Sequence, residues 1–169
     1  MPDAIEVINS ISSQHFKITE NANAAGQKMN DIDAIFSVQV AAYKTAQSAF
    51  SVAGLLEKRD ELLHAIDLMG DGLKKHFVYE EKALPLVFGE LLMKEIQHDH
   101  SEILGRIESA RTILTSLDKL SHEELLAKRL DLLGSVNDLR STVVNHAKYE
   151  EQVLDMTKKV FEVAKARPD

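Results

Sequence analysis

Ile5, Ile8, Ile11, His15, Ile18, Ala22, Ala25 and Met29 follow one another at intervals of three and four residues. That is the stripe of an amphipathic helix, with a histidine set into its apolar face. Asn30-Asp31 can end this helix and cap the next segment. Residues 33–53 read as further helix, rich in Ala and Val, up to Gly54. A stripe through Leu62, Ile66, Leu73, His76, Glu80 and Leu84 predicts a helix over 57–88. Gly70-Asp71-Gly72 is a candidate kink within it, and Pro85 marks its last turn. Over 90–119, Met93, Ile96, His100, Ile103, Leu104, Ile107 and Leu114 share one face. Ser121-His122-Glu123-Glu124 has the pattern of a capping box, Ser121 bonding forward and Glu124 back. It opens a last helix through Leu133, Val136, Leu139, Val143, His146, Glu150, Val153 and Phe161. Four principal helices with short connections predict an all-α, up-down four-helix bundle, one domain over 1–169, with an extra helical segment near 33–53.

Two of these helices carry the same string. His76-Phe77-Val78-Tyr79-Glu80-Glu81 and His146-Ala147-Lys148-Tyr149-Glu150-Glu151 both read HxxYEE. A His and the Glu four residues later lie about 40° apart around a helix, one turn along, so both can point at one metal. The adjoining Glu81 and Glu151, about 140° from their His, should face away. An isolated histidine on an apolar stripe precedes each string: His15 before His76, and His100 before His146. In an up-down bundle the two HxxxE turns meet across one diagonal, and His15 and His100 come in from the other. Four imidazoles and two carboxylates then surround one cavity. Two carboxylates can bridge a pair of metals about 3.5–4 Å apart. Imidazole with carboxylate and no thiolate suits iron or manganese, and zinc also fits.

Composition narrows the chemistry further. With 44% apolar residues the chain is globular, and seven Gly with three Pro are too few for a turn-dense β fold. A formal net charge of −7 and no basic run argue against nucleic-acid or anionic-membrane partners. The absence of cysteine excludes disulfides, thiolate zinc sites, iron–sulfur clusters and a cysteine nucleophile. The opening MPDAIEVINS has no basic-then-apolar signal pattern, and no apolar run is long enough to span a bilayer, so a cytoplasmic location is expected. Of the other histidines, His98 should be solvated, His122 sits in a helix cap, and His64 falls near the edge of the core. Tyr79 and Tyr149 are expected to pack between helices, with hydrogen bonds to ligands the rarer outcome.

The order His, HxxxE, His, HxxxE resembles the HHE cation-binding branch of the hemerythrin-like family. His15-Phe16-Lys17-Ile18 and His100-Ser101-Glu102-Ile103 resemble that family's HxxI turns, and Glu80-Glu81-Lys82-Ala83-Leu84-Pro85 resembles its EExxLxP ending. Carried over position by position, the resemblance implies His15, His76, Glu80, His100, His146 and Glu150 as ligands of a non-haem centre of two iron ions. The oxygen-carrying members place HxxxH on the third helix, whereas Ile96 and Leu104 flank His100 here at four residues on either side. One iron would then have fewer imidazoles and a more open coordination sphere. The carriers also use a carboxylate five residues after the last His, which makes Glu151 a rival to Glu150.

The leading expectation is a diiron binding protein, with no catalytic residue assigned, that takes up oxygen, nitric oxide or peroxide for sensing or for iron and redox handling. A diiron enzyme, oxidising iron or reducing peroxide or nitric oxide, is the alternative. A metal-free signalling or phosphotransfer bundle using an exposed histidine such as His98 is a third, and it leaves the doubled HxxYEE string unexplained.

Overall fold

The stripe that opens the chain does not stop at Asn30-Asp31. In the computed structural model, which describes residues 3–44 and 52–166, α1 runs unbroken over Ala4–Lys44. Met29, Ile32 and Phe36 are fully buried and keep the same face, while Asn30 and Asp31 point outward. A capping pair at exposed positions, with no Gly or Pro behind it, ends nothing while the apolar face continues. The expected extra segment is therefore no separate element. Residues 33–44 are the end of α1, the start of α2 (Val52–Ala83) takes in Gly54, and 45–51 lie outside the described residues. Arg129 fastens the late part of α1 to the last helix through Asp33 (2.6 Å) and Ser37 (2.7 Å).

The second helix also departs from expectation at both punctuation points. It passes straight through Gly70-Asp71-Gly72, because Gly70 is a place of close packing rather than a break. A Cβ there would lie 3.3 Å from Ile107 of the third helix. Its end comes at Ala83, earlier than expected, and Pro85 starts α3 (Pro85–Ser116) instead of closing α2. Proline suits that place, since the first turn of a helix needs no N–H from it. Val87 and Phe88 N–H bond back to the Leu84 carbonyl, and Gly89 then breaks the turn at φ 74°, ψ 170°. After a 3-10 turn at Leu117–Lys119, α4 runs over His122–Ala166. It opens on the expected capping box, with Ser121 N–H donating to Glu124 (2.8 Å) and Glu124 N–H to Ser121 Oγ (3.4 Å).

Packing obeys the up-down order: α1 lies against α2 and α4, and α3 lies against the same two. Two apolar clusters fill the interior. The larger includes Ile18, Phe36, Ile66, Leu73, Ile103 and Val143, and the smaller includes Ile8, Ile11, Leu84, Met93, Ile96 and Leu154. Three of the helices contribute buried residues to both, and α2 reaches the smaller through Ala83 at its end, with Leu84 just beyond. On each helix the same short stretch separates them, and that stretch carries the polar site. No helix among the described residues is long and apolar enough to cross a membrane.

Two glycines test this backbone. Gly89 holds a conformation open essentially to glycine alone, and a Cβ there meets nothing within 4 Å, so Gly89→Ala isolates backbone strain. It should destabilise the protein by about 1–3 kcal/mol. Gly72 is helical and exposed, and a Cβ there also meets nothing. Gly72→Ala should stabilise by about 0.5–1 kcal/mol. Denaturant midpoints check both signs.

Candidate metal centre

Between the two clusters each helix puts polar groups where its stripe would otherwise carry Ile or Leu. His15 stands between Ile11 and Ile18, His100 between Ile96 and Ile103, and Glu150 between Val143 and Leu154. His15, His76, Glu80, His100, His146 and Glu150 are all buried, and the two carboxylates are the most deeply buried, at 0% and 1% exposure. The structure thus brings the six expected side chains into one layer. An ionised carboxylate removed from water costs several kcal/mol unless compensated. Two of them in an apolar core require cations or protons beside them.

The imidazoles face the carboxylates with Nε2. His15 Nε2 lies 3.1 Å from Glu80 Oε1 and 3.0 Å from Glu150 Oε2. His76 Nε2 is 2.9 Å from Glu80 Oε1, His100 Nε2 is 3.3 Å from Glu80 Oε2, and His146 Nε2 is 3.5 Å from Glu150 Oε2. Of these contacts, the one between His15 and Glu80 has the geometry of a hydrogen bond. Nε2 of His76, His100 and His146, Glu80 Oε2 and both oxygens of Glu150 are buried without a hydrogen bond. Such orphaned atoms are rare and call for an explanation. These side chains are aimed at shared points between them rather than at each other. Two four-residue groups emerge that could each hold a metal ion: His15, His76, Glu80 and Glu150, and His100, His146, Glu80 and Glu150. Both carboxylates belong to both groups. Neutral nitrogen and anionic oxygen donors without sulfur suit iron, manganese or zinc, and the orphaned atoms fit such an occupant.

Each imidazole is held from behind at Nδ1. Glu151 holds His15 (2.8 Å) and is itself bonded by Ser12 Oγ (3.1 Å); Glu81 holds His100 (2.9 Å). Gln14 Oε1 holds His76 (2.9 Å), and Asp99 holds His146 at a longer 3.4 Å. A bond at Nδ1 sets the ring's orientation and leaves Nε2 free to ligate. Glu81 and Glu151 face away from their own histidines, as expected, and still take part in the site. They leave their own helix's histidine and reach the lone histidine of a neighbouring helix. Glu150 points inward, while Glu151 sits behind His15. The residues that sequence reasoning missed are the neighbours of the found ones: Gln14 and Asp99 just before the lone histidines, Glu81 and Glu151 just after the inward carboxylates. Tyr79 and Tyr149 are exposed rather than buried between helices. His64 is exposed rather than at the core's edge, and His98 is exposed as expected. Phe77 completes the layer, stacked on His100 with ring centres 3.8 Å apart and 10° between planes.

The hemerythrin HHE cation-binding domain family matches residues 30–164. The chain belongs to that family. No curated protein and no solved structure matches it. The matched stretch of the HHE domain begins beyond His15, which the fold brings to the site. A cation-binding family and a layer of inward carboxylates and imidazoles agree that this is a metal-binding protein.

Electrostatics in the layer reflect the carboxylates. Burial pushes the His15 pKa down, but the Glu150 and Glu80 carboxylates outweigh it and raise it to about 10. Burial also opposes the charge on Glu80, yet His100, His15 and His76 hold its pKa well below the ordinary carboxylate range. For His100, burial is again outweighed, by Glu80 and Glu81, and its pKa rises. Burial wins at His146, with help from the charge of His100, and its pKa falls.

The exposed and buried histidines of α3 provide a contrast. His100→Ala should lower bound metal by about half or more and leave a buried void, costing about 1–3 kcal/mol. His98→Ala should change neither metal content nor the denaturation midpoint. Loss of metal from His98→Ala alone would contradict the phasing of α3.

Proposed function

We propose that this protein holds two iron ions between the shared carboxylates, one beside His15 and His76 and the other beside His100 and His146. In this reading it binds a small ligand such as oxygen, nitric oxide or peroxide for sensing or for iron and redox handling. The single observation that carries the proposal is the pair of buried His2Glu2 groups sharing Glu80 and Glu150. Each group offers four protein donors, and iron commonly takes six, so coordination positions remain for water and small ligands. Ile96 is buried in the smaller cluster and Leu104 packs against the larger, so neither position adjacent to His100 on α3 adds a donor. Bound iron would supply redox chemistry and a Lewis-acidic centre; the protein's part is to orient the imidazoles and to exclude bulk water. A manganese or zinc occupant would use the same donors. A metal-free phosphotransfer role for exposed His98 leaves the six orphaned atoms without a purpose.

Protein produced in iron-rich medium should contain two iron ions per chain. One ion or none, under ample supply, would remove the diiron proposal. Loading should also release protons. His15, with its pKa raised to about 10 from 6.5, carries a proton at neutral pH until a metal displaces it. Affinity for iron(II) should therefore climb with pH from about 6.5 towards 10, with about one proton released by His15 as its centre fills. The stability that this raised pKa lends the protein without metal has the opposite sense. It is fully present below 6.5 and is lost as pH rises through about 10. Anaerobic titrations at several pH values, with a pH indicator counting protons, test the first trend. Affinity independent of pH over that range would contradict it.

A further inference from the structure

The two halves of the centre repeat each other. α1 answers to α3 and α4 to α2: His15 to His100, Glu151 to Glu81, Gln14 to Asp99, and Glu150 to Glu80. The repeat fails at one apolar position. Phe77 comes directly after His76, is buried, and lies flat against His100. Its counterpart after His146 is Ala147, a methyl group where the other half has a ring. A cavity of about 360 Å³ opens there between α1 and α4, lined by His15, Thr19, Val144, Ala147, Lys148 and Glu151.

This cavity has the character of a small-molecule site. Its walls are largely apolar, with a few polar groups among them. The opposed charges of Lys148 and Glu151 leave no strong preference for either sign of ligand. It ends on the metal centre's own groups, since Glu151 bonds His15 Nδ1 while His15 Nε2 faces both bridging carboxylates. Glu151 is partly exposed and lies between the cavity and the His15 ring, 2.8 Å from Nδ1. Water needs only about 30 Å³, so room for a diatomic ligand is ample. On the other face the Phe77 ring stands in the equivalent place, stacked on His100.

We propose that the α1–α4 cavity is the port through which a small uncharged ligand, of the size of nitric oxide, reaches the centre, and that it enters beside His15 rather than beside His100. The proposal rests on the metal-binding function above, with Ala147 as the residue that opens the port and Phe77 as the one that shuts its twin. Filling the cavity tests it. In iron-loaded, reduced protein, Ala147→Phe should slow nitric oxide binding about tenfold or more, read by stopped-flow absorbance, with iron content unchanged. Thr19→Phe, at the half-buried rim, should slow it too and keeps the test available if the buried substitution fails to fold. Ser101→Phe, on the α2–α3 face, should leave the rate as it is. Unchanged rates in the filled variants at full iron content would overturn the port, as would slowing by Ser101→Phe alone. A second readout needs no metal. Xenon added to metal-free protein should shift the methyl resonances of Ala147 and Val144, and should not do so in Thr19→Phe. Xenon shifts confined to residues around Phe77 would overturn the proposal. If the protein takes up no iron, the function above fails, and the xenon measurement alone decides the port.

Discussion

Two carboxylates in the middle of an apolar bundle are the constraint on which everything else depends. Glu80 and Glu150 are removed from water almost completely, at a cost of several kcal/mol each if left alone. Cations or protons in the layer must offset that cost, and the four helices must keep one common level to bring the imidazoles to the carboxylates. The long apolar clusters on either side fix that level. They hold α1 and α3 so that His15 and His100 meet the paired HxxxE turns across the diagonal. Shifting any helix by one residue would rotate its ligand about 100° out of the layer.

The ring of outer contacts explains why the histidines stay in place. Each Nδ1 is bonded by a residue from another helix, so the layer is tied laterally as well as packed vertically. The scheme has an approximate two-fold repeat, and its departures carry information. An amide behind His76 faces a carboxylate behind His146. A ring beside His100 faces an open cavity beside His15. The two halves thus share ligand types and differ in surroundings, which is where a ligand's approach would be decided.

Helical periodicity makes most of the bundle legible in the sequence, because the stripes on all four helices keep step with 3.6 residues per turn. The inward residues are legible for the same reason: His15 and His100 lie on stripes, and HxxxE spacing puts His and Glu on one face. What periodicity misses is tertiary. Asn30-Asp31 carries a capping signal, but the buried Ile32 and Phe36 beyond it prolong α1. Pro85 is ambiguous between ending one helix and starting the next, and the left-handed Gly89 beyond it shows that the chain turns there. Glu81 and Glu151 escape the reading because an angle around one helix says nothing about the neighbour within reach. Tyr79 and Tyr149 look like core aromatics by composition, yet their places on the helix leave them exposed.

In the proposed reading Glu80 and Glu150 bridge two metal ions. The most direct measurement is anomalous diffraction at the iron absorption edge from crystals of iron-loaded protein. Two anomalous peaks should appear inside the bundle, about 3.5–4 Å apart, one beside His15 and His76 and one beside His100 and His146. A single peak, or peaks away from Glu80 and Glu150, would contradict it.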